Sequence, residues 1–221
     1  MDGRLRRKLR RVRTLTVYVD VKSPYAYLAI APVRALCAEH GGAIDWLPYV
    51  LDIPSYLGSA RLDPASGRVL ESERTESQWR KVRYAYMDVR RQANRAGLVI
   101  RGTQKIWNTE LAAIALLYVR RHAPARVDAF LDASFAPFWR RELDAERADV
   151  LEAKLREAGV DAADFSSFAT NEGAALLSAV MTEAHARGVF GVPSYLWHGE
   201  LFWGREHLAL LAERIRAKES R

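Results

Sequence analysis

In this chain of 221 residues, the side chains suited to chemistry lie in two short stretches far apart in sequence. The first is "VYVDVKSPYAYLA", residues 17–29, where a β-branched run leads directly into Ser23-Pro24-Tyr25-Ala26. Ser is a favoured N-cap and Pro a favoured first helical residue, so Ser23-Pro24 begins a helix. That role is structural. A strand feeding a hydroxyl into a helix N-terminus also creates an anion site, because the unpaired amides and positive dipole end there can hold a charge such as a thiolate. The second stretch is "GVFGVPSYL", residues 188–196. Gly188 can end a helix, and Gly191-Val192-Pro193 leads into a strand, where a proline ordinarily marks an edge. The isomer of the Val192–Pro193 bond is not legible in the sequence, since cis is the minority state.

Other chemistries find little support. The five histidines show no metal-ligand spacing, and the single cysteine, Cys37, permits neither an intramolecular disulfide nor a cysteine-pair metal site. No metal is expected. Cys37 sits mid-helix beside Leu36, Val33 and His40 and reads as a small buried hydrophobe. One such thiol cannot run a dithiol–disulfide cycle. The aromatics Tyr25, Tyr27, Trp107 and Trp203 could line a pocket or simply fill the core; a site role is favoured for Tyr25 and Trp203. Lys105, near Asn108, reads as a solvated lysine.

The elements that must hold these residues follow from periodicity. Residues 14–20 alternate and form a strand, and 24–40 carry the helical period with Pro32 inside, stopped by Gly41-Gly42. Residues 43–50 form a second strand, which Pro48 marks as an edge or as ending early. This β-α-β unit makes a parallel pair. Residues 52–70 read as a long polar connection, followed by a helix at 76–96 striped by Trp79, Val82, Tyr86, Val89 and Ala93. Further helices are expected at 109–121, 125–138, 149–158, 162–169 and 171–186. "VPSYLWHGELFW" alternates on both sides of His198-Gly199, a hairpin turn, and 204–218 form a last helix.

The composition excludes disorder: nearly half the chain is apolar, with six Trp and nine Tyr. No apolar run approaches the roughly 18–20 residues that span a bilayer, and a cytoplasmic protein is expected. The net charge of +7 belongs to an arm, since residues 1–13 hold seven Lys/Arg against one Asp. Such an arm could touch nucleic acid, but a solvated terminus is the preferred reading. The remaining body is near neutral.

The strand with "SPYAYLA", the segment "GVFGVPSYLWHGELFWGREHL" and the order of elements together give the chain a resemblance to a known family. It resembles the DsbA-like branch of the thioredoxin superfamily and, within it, the glutathione-dependent 2-hydroxychromene-2-carboxylate isomerases and kappa-class glutathione transferases. "IWNTELAAIALL" adds a local match, with Asn108-Thr109 placed like the Asn-Ser that opens a helix beside the family's active site. The resemblance implies an α/β thioredoxin-like fold from residues 14–57 and 171–219, with a large all-helical insertion at 58–170. It implies that Ser23 stands where redox relatives carry cysteine, and that sulfur comes in as glutathione or another low-molecular-weight thiol. Ser23 would donate its hydroxyl to that sulfur. Pro193 would be cis, Val192 would pair with the cysteinyl backbone, and Glu206, flanked by Arg205, would take the γ-glutamyl ammonium. Tyr25, Asn108 and Trp203 would face a small electrophile. Isomerase action is the leading expectation, with a kappa-like transferase or a silent peptide-binding module as alternatives; a homodimer fits common practice among relatives. Two departures stand out. The segment after the second strand is more polar than the family's Gly-rich, lysine-bearing one, and Glu206 stands where Asp is usual.

Overall fold

The computed structural model describes residues 14–219; the basic stretch 1–13 lies outside the described residues. β1 (Thr14–Val19), α1 (Pro24–Glu39) and β2 (Ala43–Pro48) come first, followed by α2 (Ile53–Leu57) and a hairpin of β3 (Ala60–Leu62) and β4 (Val69–Ser72). A helical block follows: α3 (Glu76–Arg95), α4 (Glu110–His122), α5 (Val127–Trp139), α6 (Ala148–Glu157), α7 (Phe165–Phe168) and α8 (Ala174–Ala186). The chain then makes β5 (Ser194–Trp197), β6 (Glu200–Trp203) and α9 (Leu208–Glu219). This is a thioredoxin-like α/β fold carrying a large helical insertion.

Leu15, Val17, Tyr18 and Val19 are all buried, so β1 is covered on both faces, as a central strand must be. It lies inside a four-stranded sheet of order β2-β1-β5-β6. β2 pairs parallel to it at the edge and stops at Pro48, opposite Val19. β5 pairs antiparallel, with Tyr18 opposite Ser194. That register has a direct consequence: the exit of β1, which leads to Ser23, lies beside the entry to β5, which is the loop ending at Pro193. The β5–β6 hairpin turns on His198 and Gly199, both at positive φ (51° and 85°), the geometry of a type I′ turn. Its register returns Trp203 to a position opposite Ser194, at the same end of the sheet.

α1 buries Ala26, Ala29, Val33, Leu36 and Cys37 along one stripe and continues through Pro32 to Glu39. It packs against α3, α5 and α9. α4 is apolar nearly all round, with seven buried residues between Ala112 and Val119, among them Ile114, Ala115, Leu117 and Tyr118; it sits between α5, α8 and β2, as such a helix requires. Two expectations are corrected. The connection at 52–70 contains α2 and the β3–β4 hairpin, whose residues are mostly exposed and so give no alternating signal. The helices expected at 162–169 and 171–186 are one helical run, joined by a π turn at Ala169–Gly173. Among the described residues, no helix is long and apolar enough to cross a membrane.

Candidate functional site

Between β1 and α1 the backbone makes a tight turn in which the Ser23 N–H donates to the Asp20 carbonyl at 2.9 Å. Ser23 is the N-cap of α1 in extended conformation, and its Oγ accepts from the Ala26 N–H at 3.2 Å. The hydroxyl hydrogen points the other way and donates to the Val192 carbonyl at 3.4 Å. That length makes it a weak bond. The Val192–Pro193 peptide is cis. Pro193 is held from behind, its carbonyl accepting the Gly204 N–H at 2.9 Å, and Ser194 Oγ donates to the Gly191 carbonyl at 2.6 Å.

Ser23 and Val192 stand at the wall of a cavity of about 510 Å³ that reaches into the helical block. Tyr25, Tyr86, Trp107, Phe190 and Trp203 supply aromatic surface, and Lys22, Arg74 and Lys105 supply positive charge; no carboxylate lines it. At the mouth, the exposed rings of Phe190 and Trp203 lie 4.9 Å apart. Gly191 makes that arrangement possible by size alone, because a Cβ there would lie 2.6 Å from Trp203 Nε1.

Lys22 has no counterpart in the sequence reading. It is buried together with Asp20, their charged atoms 3.7 Å apart, and its Nζ donates to the Trp107 carbonyl at 3.2 Å. The Asp20 carboxylate also accepts the Leu51 N–H at 2.8 Å and the Lys22 N–H at 3.2 Å. This pair thus ties the β1–α1 turn to the exit of β2. Burial pushes the Asp20 carboxyl above its ordinary value, against the opposing pull of the Lys22 charge. A signal existed: Asp20 and Lys22 share one face of a strand end inside an apolar run, where two charges need each other.

The other expected residues are distributed unevenly. Tyr25 is on the cavity wall, and its hydroxyl donates to Asp88 Oδ2 at 3.0 Å. Burial first, and then Asp88, hold that phenol well above its usual range, so it remains a donor. Trp203 is on the wall and half exposed. Arg205 and Glu206 are not on the cavity wall. Arg205 donates to Gln92 Oε1 at 2.6 Å and, at 3.4 Å, to the Leu28 carbonyl, while the Glu206 carboxylate lies over Gly204. Asn108 belongs to a neighbouring groove, where its Oδ1 accepts the Glu110 N–H at 2.9 Å and so caps α4. Tyr27 leaves the site and stacks on Phe135 at 6.0 Å. Lys105 is not a free solvated lysine: it pairs with Glu146 at 2.5 Å and sits 4.2 Å over the Trp107 ring.

Comparison with known proteins agrees with this architecture. The family described as "DSBA-like thioredoxin domain" matches residues 14–216. A 2-hydroxychromene-2-carboxylate isomerase of Sphingobium xenophagum is 25% identical over 205 residues, covering 90% of this chain and 96% of that protein. Among solved structures, a 2-hydroxychromene-2-carboxylate isomerase superposes with a TM-score of 0.70 at 22% identity, covering 92% of this chain and 95% of the other. The cytosolic disulfide reductase DsbM of Pseudomonas aeruginosa, solved with GSH, gives a TM-score of 0.60 at 15% identity over 92% and 99% of the two chains.

Proposed function

The chain belongs to the DSBA-like thioredoxin domain family, and from that premise we propose that it is an isomerase of a small conjugated electrophile, working with glutathione or another low-molecular-weight thiol. The observation that carries this reading is the 3.4 Å separation of Ser23 Oγ from the Val192 carbonyl, at a helix N-terminus, on the wall of a carboxylate-free aromatic cavity. The donor set fits a small peptide thiol. One hydroxyl faces the backbone before a cis proline, and a carboxylate and a guanidinium lie just beyond the loop at Glu206 and Arg205. The likeness in sequence to proteins named isomerases supports the same class of reaction.

Glutathione, when bound, would supply the nucleophilic sulfur. Ser23 would turn its hydroxyl hydrogen from the weakly held Val192 carbonyl to that sulfur and favour the ionised form. Lowering a thiol's titration by about one unit corresponds to roughly 1.4 kcal/mol. Val192 would pair with the cysteinyl backbone, and Glu206, beside Arg205, would take the γ-glutamyl ammonium. Tyr25, Trp107 and Trp203 would hold the flat electrophile against the cavity wall. Lys22, fixed by Asp20, would face negative charge developing on its carbonyl oxygen, a preorganised positive group aimed where charge grows. Asn108 has no part here beyond capping α4. The same reading includes a cytoplasmic setting and a homodimer.

Calorimetry tests it. Glutathione is expected to bind with a dissociation constant at or below about 1 mM. Ser23→Ala is expected to weaken glutathione about tenfold while leaving S-methylglutathione unchanged, because the hydroxyl acts through the ionisable sulfur. Absence of any heat with either compound at about ten times that concentration would overturn the reading. A stable thioether product in place of an isomer would mark a kappa-like transferase. The exposed pair Phe190 and Trp203 favours a second reading, a non-catalytic module binding an extended peptide at the cavity mouth; thiol-dependent turnover of a conjugated electrophile would eliminate it.

A further inference from the structure

Next to the cavity beside Ser23 lies a second one of about 300 Å³, and the two have Arg74, Val82, Tyr86, Thr103, Lys105 and Ile106 as common walls. The second is lined by five basic side chains, Arg74, Arg83, Arg90, Lys105 and Arg141, and by no acidic one. Only Lys105 has a carboxylate partner among the described residues, Glu146. Three of the others, Arg74, Arg90 and Arg141, are held by neutral groups. Arg74 lies 4.9 Å over the Trp79 ring and donates to the Gly58 carbonyl at 3.1 Å. Arg90 lies 5.6 Å over the Tyr86 ring. Arg141 donates to the Gly102 carbonyl from a backbone at φ 63°, a left-handed conformation uncommon for a side chain of its kind.

The helix carrying two of these residues sorts its charges by face. Trp79, Arg83, Tyr86 and Arg90 recur at helical spacing on the side of α3 that lines the cavity. The acids of α3 go elsewhere: Glu76 pairs with Arg80 at 3.1 Å and Asp88 with Arg91 at 4.0 Å. Four guanidinium groups therefore converge on one concavity without a protein counter-charge. A single carboxylate would neutralise one of them. Guanidinium forks and adjoining aromatic faces suit a phosphate or diphosphate, which presents several acceptor oxygens and more than one charge.

We propose that this second cavity binds a phosphate group carried on the substrate, whose hydrophobic part lies in the larger cavity next to Ser23. The inference rests on the larger cavity being the substrate site. It places the natural electrophile among phosphorylated compounds, with Arg74 at the junction of the two halves.

The test uses the full chain and three probes: 1-naphthyl phosphate, inorganic phosphate and 1-naphthol, titrated by tryptophan fluorescence. Naphthyl phosphate is expected to bind about tenfold more tightly than either of the other two. Arg83→Gln and Arg90→Gln should each weaken it about fivefold or more, whereas Arg80→Gln, on the outer face of α3, should change it less than about twofold. Naphthyl phosphate binding no more tightly than naphthol, or equal losses in Arg80→Gln and Arg83→Gln, would overturn the proposal. Binding no tighter than inorganic phosphate would overturn the link between the two cavities. Glutathione titrated into the same variants separates the two readings: retained glutathione binding with no phosphate selectivity defeats only this inference.

Discussion

Asp20 and Lys22 bury opposite charges 3.7 Å apart in the turn that delivers Ser23 to its helix. Breaking a buried pair from one side costs about 3–5 kcal/mol because it leaves an uncompensated charge. Asp20→Asn should reach that range in urea denaturation, since Lys22 is then left buried with only the Trp107 carbonyl as partner. Lys22→Met should cost less. Its remaining carboxyl already titrates above the ordinary 3.8 through burial, so it can take up a proton. The sign follows from linkage: the folded chain binds that proton more tightly than the unfolded one. The cost is therefore full above the folded-state value and is relieved as pH falls towards about 4, so Lys22→Met should approach the wild type in acid. The double variant should be more stable than the sum of the singles allows.

Ser23→Cys offers a direct comparison of two thiols in one molecule. Burial pushes the Cys37 thiol up to about 11, leaving it almost wholly protonated at neutral pH. A cysteine at position 23 would meet the α1 N-terminus, where thiols titrate below their usual ~8.5. Iodoacetamide at pH about 7 should label position 23 at least about tenfold faster than Cys37. Equal rates would show that the helix end does not favour an anion there.

Gly191→Ala should disturb the mouth without touching Ser23. The added methyl would meet the Trp203 indole at 2.6 Å, and either the ring or the loop must move. Overpacking of this kind costs about 1–3 kcal/mol. The expected readout is a shift in tryptophan emission together with weaker glutathione binding. A variant matching the wild type in both would mean that the loop accommodates the methyl freely.

Tyr25→Phe removes the hydroxyl that donates to Asp88. Gln92 Nε2 still donates to that carboxylate at 2.7 Å, so the loss should be small, about 1 kcal/mol. Because the phenol is held above its usual range, it should not titrate below pH about 10. A pH–rate profile that changed shape near neutrality in this variant would contradict a purely donating Tyr25.

The strand, the helix-capping serine and the loop before the hairpin were legible because each depends on local chemistry. Ser23 caps, Pro24 starts, and His198-Gly199 turns. Their mutual approach was legible only through resemblance, since nothing in either stretch refers to the other; the β1–β5 register brings them together. The β3–β4 hairpin escaped notice because its side chains are mostly exposed and carry no alternation. Lys22 was hidden for another reason. A charge at the end of a strand ordinarily faces water, so its spacing from Asp20 inside an apolar run was a weak signal beside the fold, which turns it inward against Trp107. Arg205 and Glu206 stand next to the hairpin as expected, yet off the cavity, because Arg205 is drawn to Gln92 on the helical insertion.

The large cavity draws its wall from separate parts of the gene. Residues 22–25 and 190–192 supply the end beside Ser23, while residues 74–107 supply most of the opposite surface. Apart from Asp88, which holds Tyr25, and Trp107, whose carbonyl holds Lys22, side chains of the latter can change without altering the former. Natural selection could thus retune what this scaffold accepts while inheriting the same nucleophile-handling corner, which makes residues 74–107 the stretch where paralogues should diverge first.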